Sequence, residues 1–214
     1  MTTEVFVEAG KSKVFAIALD WPGWARSAKD VDGAIAALID YGPRYKAAIK
    51  KRIALPNSAG DVKIVERVKG DSNTDFGVPG SPKIDRDDID GRELKRLIAI
   101  LEASWAAFDA AAEMAKGKTL TKGPRGGGRP LAKIVDHHLE GEHAYLNKLG
   151  GSAPKDAGID AVRAAFLDAL EARHRGDLPD KGPRGGARWT APEAVRRSAW
   201  HALDHAWEIE DRSS

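Results

Sequence analysis

From Leu94 onward, apolar residues recur at intervals of three and four, and this spacing constrains the fold more than any other feature of the chain. Leu94, Leu97, Ile98, Leu101, Trp105 and Phe108 keep the period to about Gly117, after a capping signal at Asp90 and Glu93. A second helix is expected after Arg129, with Pro130 in the first turn, where its missing N–H costs nothing. Its stripe is Leu131, Ile134, Val135, His138, Glu142, Tyr145, Leu146 and Leu149, closed by Gly150 and Gly151. A third runs from about Asp156 to Gly176, with Ile159, Val162, Phe166, Ala169 and Leu170 inward. A fourth is capped by Thr190, with Glu193 three residues on, and reaches the C-terminal region. Four amphipathic helices predict an all-α four-helix bundle over residues 89–214.

The first 70 residues read differently. Residues 4–8 and 13–19 are β-branched and aromatic, separated by Gly10, Lys11 and Ser12, which predicts a hairpin. Residues 20–24 (DWPGW) must turn, because Pro22 lacks a donor and Gly23 tolerates positive φ. A helix is expected next, opened by a capping box of Ser27 and Asp30 and interrupted at Gly42 and Pro43. Residues 62–68 predict one further strand. The expected class is therefore an α+β module over residues 1–70 followed by the bundle. Residues 71–88, rich in Gly, Pro, Ser and Asp, form a linker or a loop that wraps a site.

Composition narrows the function. The formal charge of +2 gives no basic footprint for nucleic acid. No apolar run approaches the roughly 20 residues of a membrane span, and the N-terminus lacks the apolar segment of a signal peptide. The chain has no cysteine, so a thiolate ligand or a cysteine nucleophile cannot come from it. A cytoplasmic protein is expected.

His201 and His205 are four residues apart, so they share a face of the fourth helix. In the second helix His138 falls within the apolar stripe, while His137 lies about 100° away. Three imidazoles facing a bundle interior would be costly as unpaired polar groups. As ligands of one divalent ion they compensate each other, with a fourth position open. Zinc is the expected ion, and the same donors suit nickel or iron. Glu142, one turn from His138, is a candidate catalytic base or hydrogen-bond partner, or else a rim glutamate in a solvated salt bridge. Glu208 is expected behind the ligands rather than among them.

These residues carry a resemblance. Residues 138–146 (HLEGEHAYL) and 200–208 (WHALDHAWE) are similar to the DinB-like superfamily of four-helix metalloproteins. The resemblance implies a divalent ion held by His138, His201 and His205. It also implies an S-transferase or isomerase acting on a small electrophile with a low-molecular-weight thiol such as mycothiol, bacillithiol or glutathione. The alternatives are a hydrolase using a water of lowered pKa and a non-catalytic, metal-stapled partner-binding protein. A small-molecule substrate is expected, with room for a homodimer and no nucleic acid or membrane partner. More weakly, residues 1–70 resemble the HicB-like antitoxin module, on an aliphatic strand ending in LDWPGW and an Asp-led helix. No DNA-binding segment accompanies it, so the module is expected to pack on the second domain or on a partner chain.

A repeat completes the pattern. KGPRGGGR at 122–129 and KGPRGGAR at 181–188 each precede a histidine-bearing helix, which suggests a duplicated helix pair. Tight turns whose arginines meet acidic neighbours are the first reading. The second is an anion site built on Arg125, Arg129, Arg184 and Arg188.

Overall fold

The computed structural model describes residues 2–122 and 128–213. It divides into two compact units, residues 1–84 and 85–214, a mixed sheet followed by helices, which makes the chain α+β.

The first unit is a four-stranded sheet in the order β3-β2-β1-β4. Strands β1 (Thr3–Ala9) and β2 (Val14–Ala18) form the expected antiparallel hairpin, with Glu8 opposite Phe15. Strand β4 (Val62–Lys69) returns parallel to β1. Strand β3 (Ala25–Ala28) departs from expectation: Ser27 pairs with Phe15 instead of capping a helix. Asp30 alone caps α1 (Val31–Ile49), accepting from Gly33 N at 2.8 Å. Nor does Pro43 interrupt that helix, although an interior proline costs about 3 kcal/mol. Packing offsets the cost. Trp24 and Tyr45 are fully buried and stacked at 5.4 Å. The Trp24 indole donates to Leu38 O and the Tyr45 hydroxyl to Pro22 O, each at 2.8 Å.

Residues 71–88 are not a free linker. Asp71 caps the short helix α2 (Ser72–Phe76). Thr74 Oγ1 then donates to Glu8 Oε1 at 3.0 Å and Gly80 N to Glu8 Oε2 at 2.5 Å, which ties this stretch to β1. Asp85 belongs to the second unit, where its buried carboxylate receives Arg196 Nε and Nη2 at 2.6 and 2.8 Å.

The second unit holds four long helices: α3 (Gly91–Met114), α4 (Leu131–Leu149), α5 (Ile159–His174) and α6 (Ala191–Ser213). Their starts follow the chain's local chemistry. Asp90 accepts from Glu93 N at 2.7 Å. Pro130 caps α4. Thr190 and Glu193 close a reciprocal box, with Glu193 N donating to Thr190 Oγ1 at 3.2 Å and Thr190 N to Glu193 Oε2 at 3.0 Å. Helix α6 packs along α3 and α4, and α5 packs on α4. One apolar core joins Leu101 and Trp105 of α3, Ile134 and Leu146 of α4, Phe166 of α5 and Ala202 of α6. Among the described residues, no helix is long and apolar enough to cross a membrane.

Candidate metal centre

The α4–α6 contact places histidines from both helices together. On α4, His137, Gly141 and Tyr145 lie at four-residue intervals and so form one stripe beside the buried His138–Glu142 stripe. On α6, His201, His205, Glu208 and Arg212 share a face by the same rule. His137, His201 and His205 each offer one ring nitrogen, and the three nitrogens lie within 4.8 Å of one another. His137 Nε2 and His201 Nε2 are 3.3 Å apart. Tetrahedral ligands about 2.0–2.1 Å from zinc are about 3.3–3.4 Å apart, so this pair already has the spacing of two ligands. The rings meet nearly at right angles: 74° for His137 and His201, 88° for His137 and His205, and 80° for His201 and His205. Three mutually perpendicular rings can converge on one point without clashing.

Gly141 makes room for this arrangement. A Cβ there would lie 2.5 Å from His201 Cε1 and 2.9 Å from its Nδ1. Behind the group, His205 Nδ1 lies 2.9 Å from Glu208 Oε2. A carboxylate only accepts, so the ring donates there from Nδ1, and Nε2 is the nitrogen on the other side of the ring. The His205 hydrogen bond holds the Glu208 carboxyl below its usual range, and the Arg212 guanidinium adds to the effect. Burial lowers His137, and pushes His201 down to about 2, so both rings are neutral at pH 7 and free to ligate. His201 Nδ1 is buried without a hydrogen-bond partner.

Here the structure departs from the sequence expectation. His138 is not part of this trio; it sits in a second buried group with Glu142 and His201. The stripe correctly places His138 inward, at 1% exposure. The half-buried neighbouring stripe, which carries His137, is the one that meets the His201–His205 pair. The His138 ring lies tilted against Phe108, with centroids 3.9 Å apart, and stacks at 5.4 Å on His201, while its Nε2 lies 3.5 Å from Arg163 Nη2. Arg163 is itself held by Asp109 through bonds of 2.6 and 2.9 Å. A guanidinium at that nitrogen opposes a second cation. Burial, then Arg163, pushes His138 down to about 3.

Glu142 is neither a rim residue nor solvated: it is 0% exposed. Both its oxygens receive the Ser198 hydroxyl, at 2.7 and 2.9 Å, and Ser198 Oγ accepts from Trp105 Nε1 at 3.0 Å. Burial raises its carboxyl to about 7. Next to this network, a cavity of about 340 Å³ is lined by Phe108, Ala112, Val135, His138, Leu139 and Ile159 among others.

Arg129 lies just before α4 and Arg188 near its far end, so these two arginines do not converge. Residues 181–187 form a tight turn, with Gly182 N donating to Gly186 O at 2.8 Å. Arg188 Nη1 donates to Asn147 O near the end of α4, and Arg184 is exposed. At the other end, Arg129 O receives Arg212 Nη2 at 2.8 Å. Arg125 lies outside the described residues. Gly141, Ser198 and Arg212 carried no expectation from the sequence, and Trp105 only a place in the apolar stripe of α3. The available signals were the i, i+4 spacings of His137 with Gly141 and of Glu208 with Arg212.

Searches of protein families, of curated proteins and of solved structures found no match to this chain.

Proposed function

We propose that His137, His201 and His205 bind one divalent cation, zinc by their donor set, with a coordination position left open for a small molecule. The convergence of three mutually perpendicular imidazoles from two helices is the observation that carries this reading. Three protein nitrogens and an open position are the pattern of a catalytic rather than a structural site. The proposed activity is a low-molecular-weight-thiol S-transfer or isomerisation on a small electrophile, in keeping with the DinB-like resemblance of α4 and α6. When bound, the cation would lower the pKa of a thiol at the open position and so supply the nucleophile. That thiol has to be a cosubstrate, because the chain has no cysteine.

The chain's own residues prepare this chemistry. Glu208 holds the His205 ring and Gly141 admits the His201 ring. Hydrolysis is less well supported. It calls for a general base at the open position, and both Glu142 oxygens are turned to Ser198.

Metal analysis of tag-free protein tests the site, with His137→Ala, His201→Ala and His138→Ala compared. About one equivalent of cation in wild type and in His138→Ala, and little in the other two, is expected. Equal metal content in all four proteins overturns the reading. Thermal shift of the loaded protein with mycothiol, bacillithiol and glutathione then separates thiol transfer from hydrolysis. A response to at least one thiol is expected, and no response to any overturns the thiol assignment.

A further inference from the structure

We propose that Arg212 is a positioning residue for the metal centre, locking the carboxylate that orients His205 and tying that ligand to the backbone at Thr121 and Arg129. This rests on the three-histidine reading above.

Glu208 divides its two oxygens between two partners. Oε2 faces His205 Nδ1 at 2.9 Å, and Oε1 receives Arg212 Nη1 at 2.6 Å. The spacings of three and four residues along α6 put all three side chains on one face. Arg212 is 7% exposed, and its other nitrogens are used as well. Nε donates to Thr121 O and Nη2 to Arg129 O, each at 2.8 Å. Thr121 returns two bonds to Arg212 O, from N at 2.8 Å and from Oγ1 at 3.1 Å. Gly128 completes the cradle. Its φ is +148°, and a Cβ there would lie 2.5 Å from Arg212 Nη2, so only a glycine accommodates the guanidinium.

The planar fork matters. One guanidinium holds a carboxylate and two carbonyls in three fixed directions, which a lysine ammonium does not reproduce. A residue that only fastened the end of α6 would need the Thr121 and Arg129 contacts alone. The Glu208 contact adds a path from those carbonyls to a ligand ring: Thr121 and Arg129 hold Arg212, Arg212 holds Glu208, and Glu208 holds His205. Partners one shell behind a metal ligand typically change metal affinity by about ten- to hundredfold. The path also gives the first glycine-arginine repeat a role through the backbone of its last residue, Arg129.

The test uses the full chain and its Arg212→Gln, Arg212→Lys and Glu208→Gln variants, with Co2+ as the metal. Arg212→Gln should weaken Co2+ binding about ten- to hundredfold and alter the Co2+ visible absorption bands. Arg212→Lys should fall between it and wild type. Glu208→Gln keeps both carbonyl contacts of Arg212, so it should fold even where Arg212→Gln does not, and it carries the same expectation for Co2+. In the metal-free protein, ring 15N shifts should report one His205 tautomer, Nδ1–H, in wild type and a mixture in Arg212→Gln. Wild-type Co2+ affinity and spectrum in Arg212→Gln or Glu208→Gln overturn the proposal, whatever happens to the melting temperature. A wild-type protein that takes up no Co2+ overturns the metal reading. The metal-free tautomer measurement still decides the clamp, and an unchanged His205 tautomer in Arg212→Gln overturns it.

Discussion

The ring of His201 occupies the space that a side chain on residue 141 would fill. A Cβ built on Gly141 would meet His201 Cε1 at 2.5 Å, on an α4 stripe whose preceding turn carries His137. The glycine is thus what lets an imidazole of α6 lie beside one of α4. Gly141→Ala favours the helix by about 0.8–1.0 kcal/mol in propensity. It also forces the His201 ring to move, at about 1–3 kcal/mol of overpacking. Metal affinity should fall at least tenfold while helix content by circular dichroism stays unchanged. Titration with Zn2+ against a competing chelator checks this.

The two adjacent α4 histidines should separate cleanly. His137→Ala removes a proposed ligand and should lower metal affinity by at least a hundredfold, with little effect on the metal-free fold. His138→Ala leaves the ligands in place but empties a site packed on Phe108. It should cost about 1–3 kcal/mol of stability and retain the metal. Urea unfolding with and without chelator, beside metal content, reads both effects.

Glu142 predicts a pH dependence of stability. Burial raises its carboxyl from 4.5 to about 7. The folded state therefore favours the proton: the contribution is fully present below pH 4.5 and is lost as pH rises through about 7. Glu142→Gln keeps a neutral group and escapes that loss. Relative to wild type, the variant should gain about 2–3 kcal/mol between pH 5 and pH 8. Buried His138 and His201 also titrate, but they are common to both proteins and cancel in the difference. Parallel urea curves at the two pH values, with chelator present, make the comparison. A constant difference contradicts the burial account of Glu142.

Thiol binding has an optical signature. If the open position takes a thiolate, adding the cosubstrate to Co2+-loaded protein should produce sulfur-to-cobalt charge-transfer absorption in the near ultraviolet. His137→Ala should abolish it. A thiol that leaves the spectrum unchanged up to millimolar concentration argues for another ligand class.

Much of this was legible in the sequence, for physical reasons that also mark where legibility ended. The hairpin of β1 and β2 and the caps at Asp90 and at Thr190 with Glu193 are local signals, and local chemistry decides them. Strand β3 was not legible, because its partner β2 decides it and the polar Ser27 imitates a cap. Pro43 suggested a break that the burial of Trp24 and Tyr45 overrides. In the site, four-residue spacing revealed His201 with His205. The choice between His137 and His138 depended on which α4 stripe faces that pair, which periodicity cannot supply. A buried stripe marks what lies inside, and a ligand needs only to face its partners. Glu208 continues the face of His205 by its spacing, and its Oε2 lies 2.9 Å from His205 Nδ1.

The most direct measurement of the central claim is X-ray absorption on zinc-loaded, tag-free protein, with His137→Ala alongside. Three imidazole nitrogens at about 2.0–2.1 Å plus one further light ligand are predicted in wild type, with one imidazole fewer, or no bound zinc, in the variant. Zinc that does not load, or a wild-type spectrum unchanged by His137→Ala, would contradict the account.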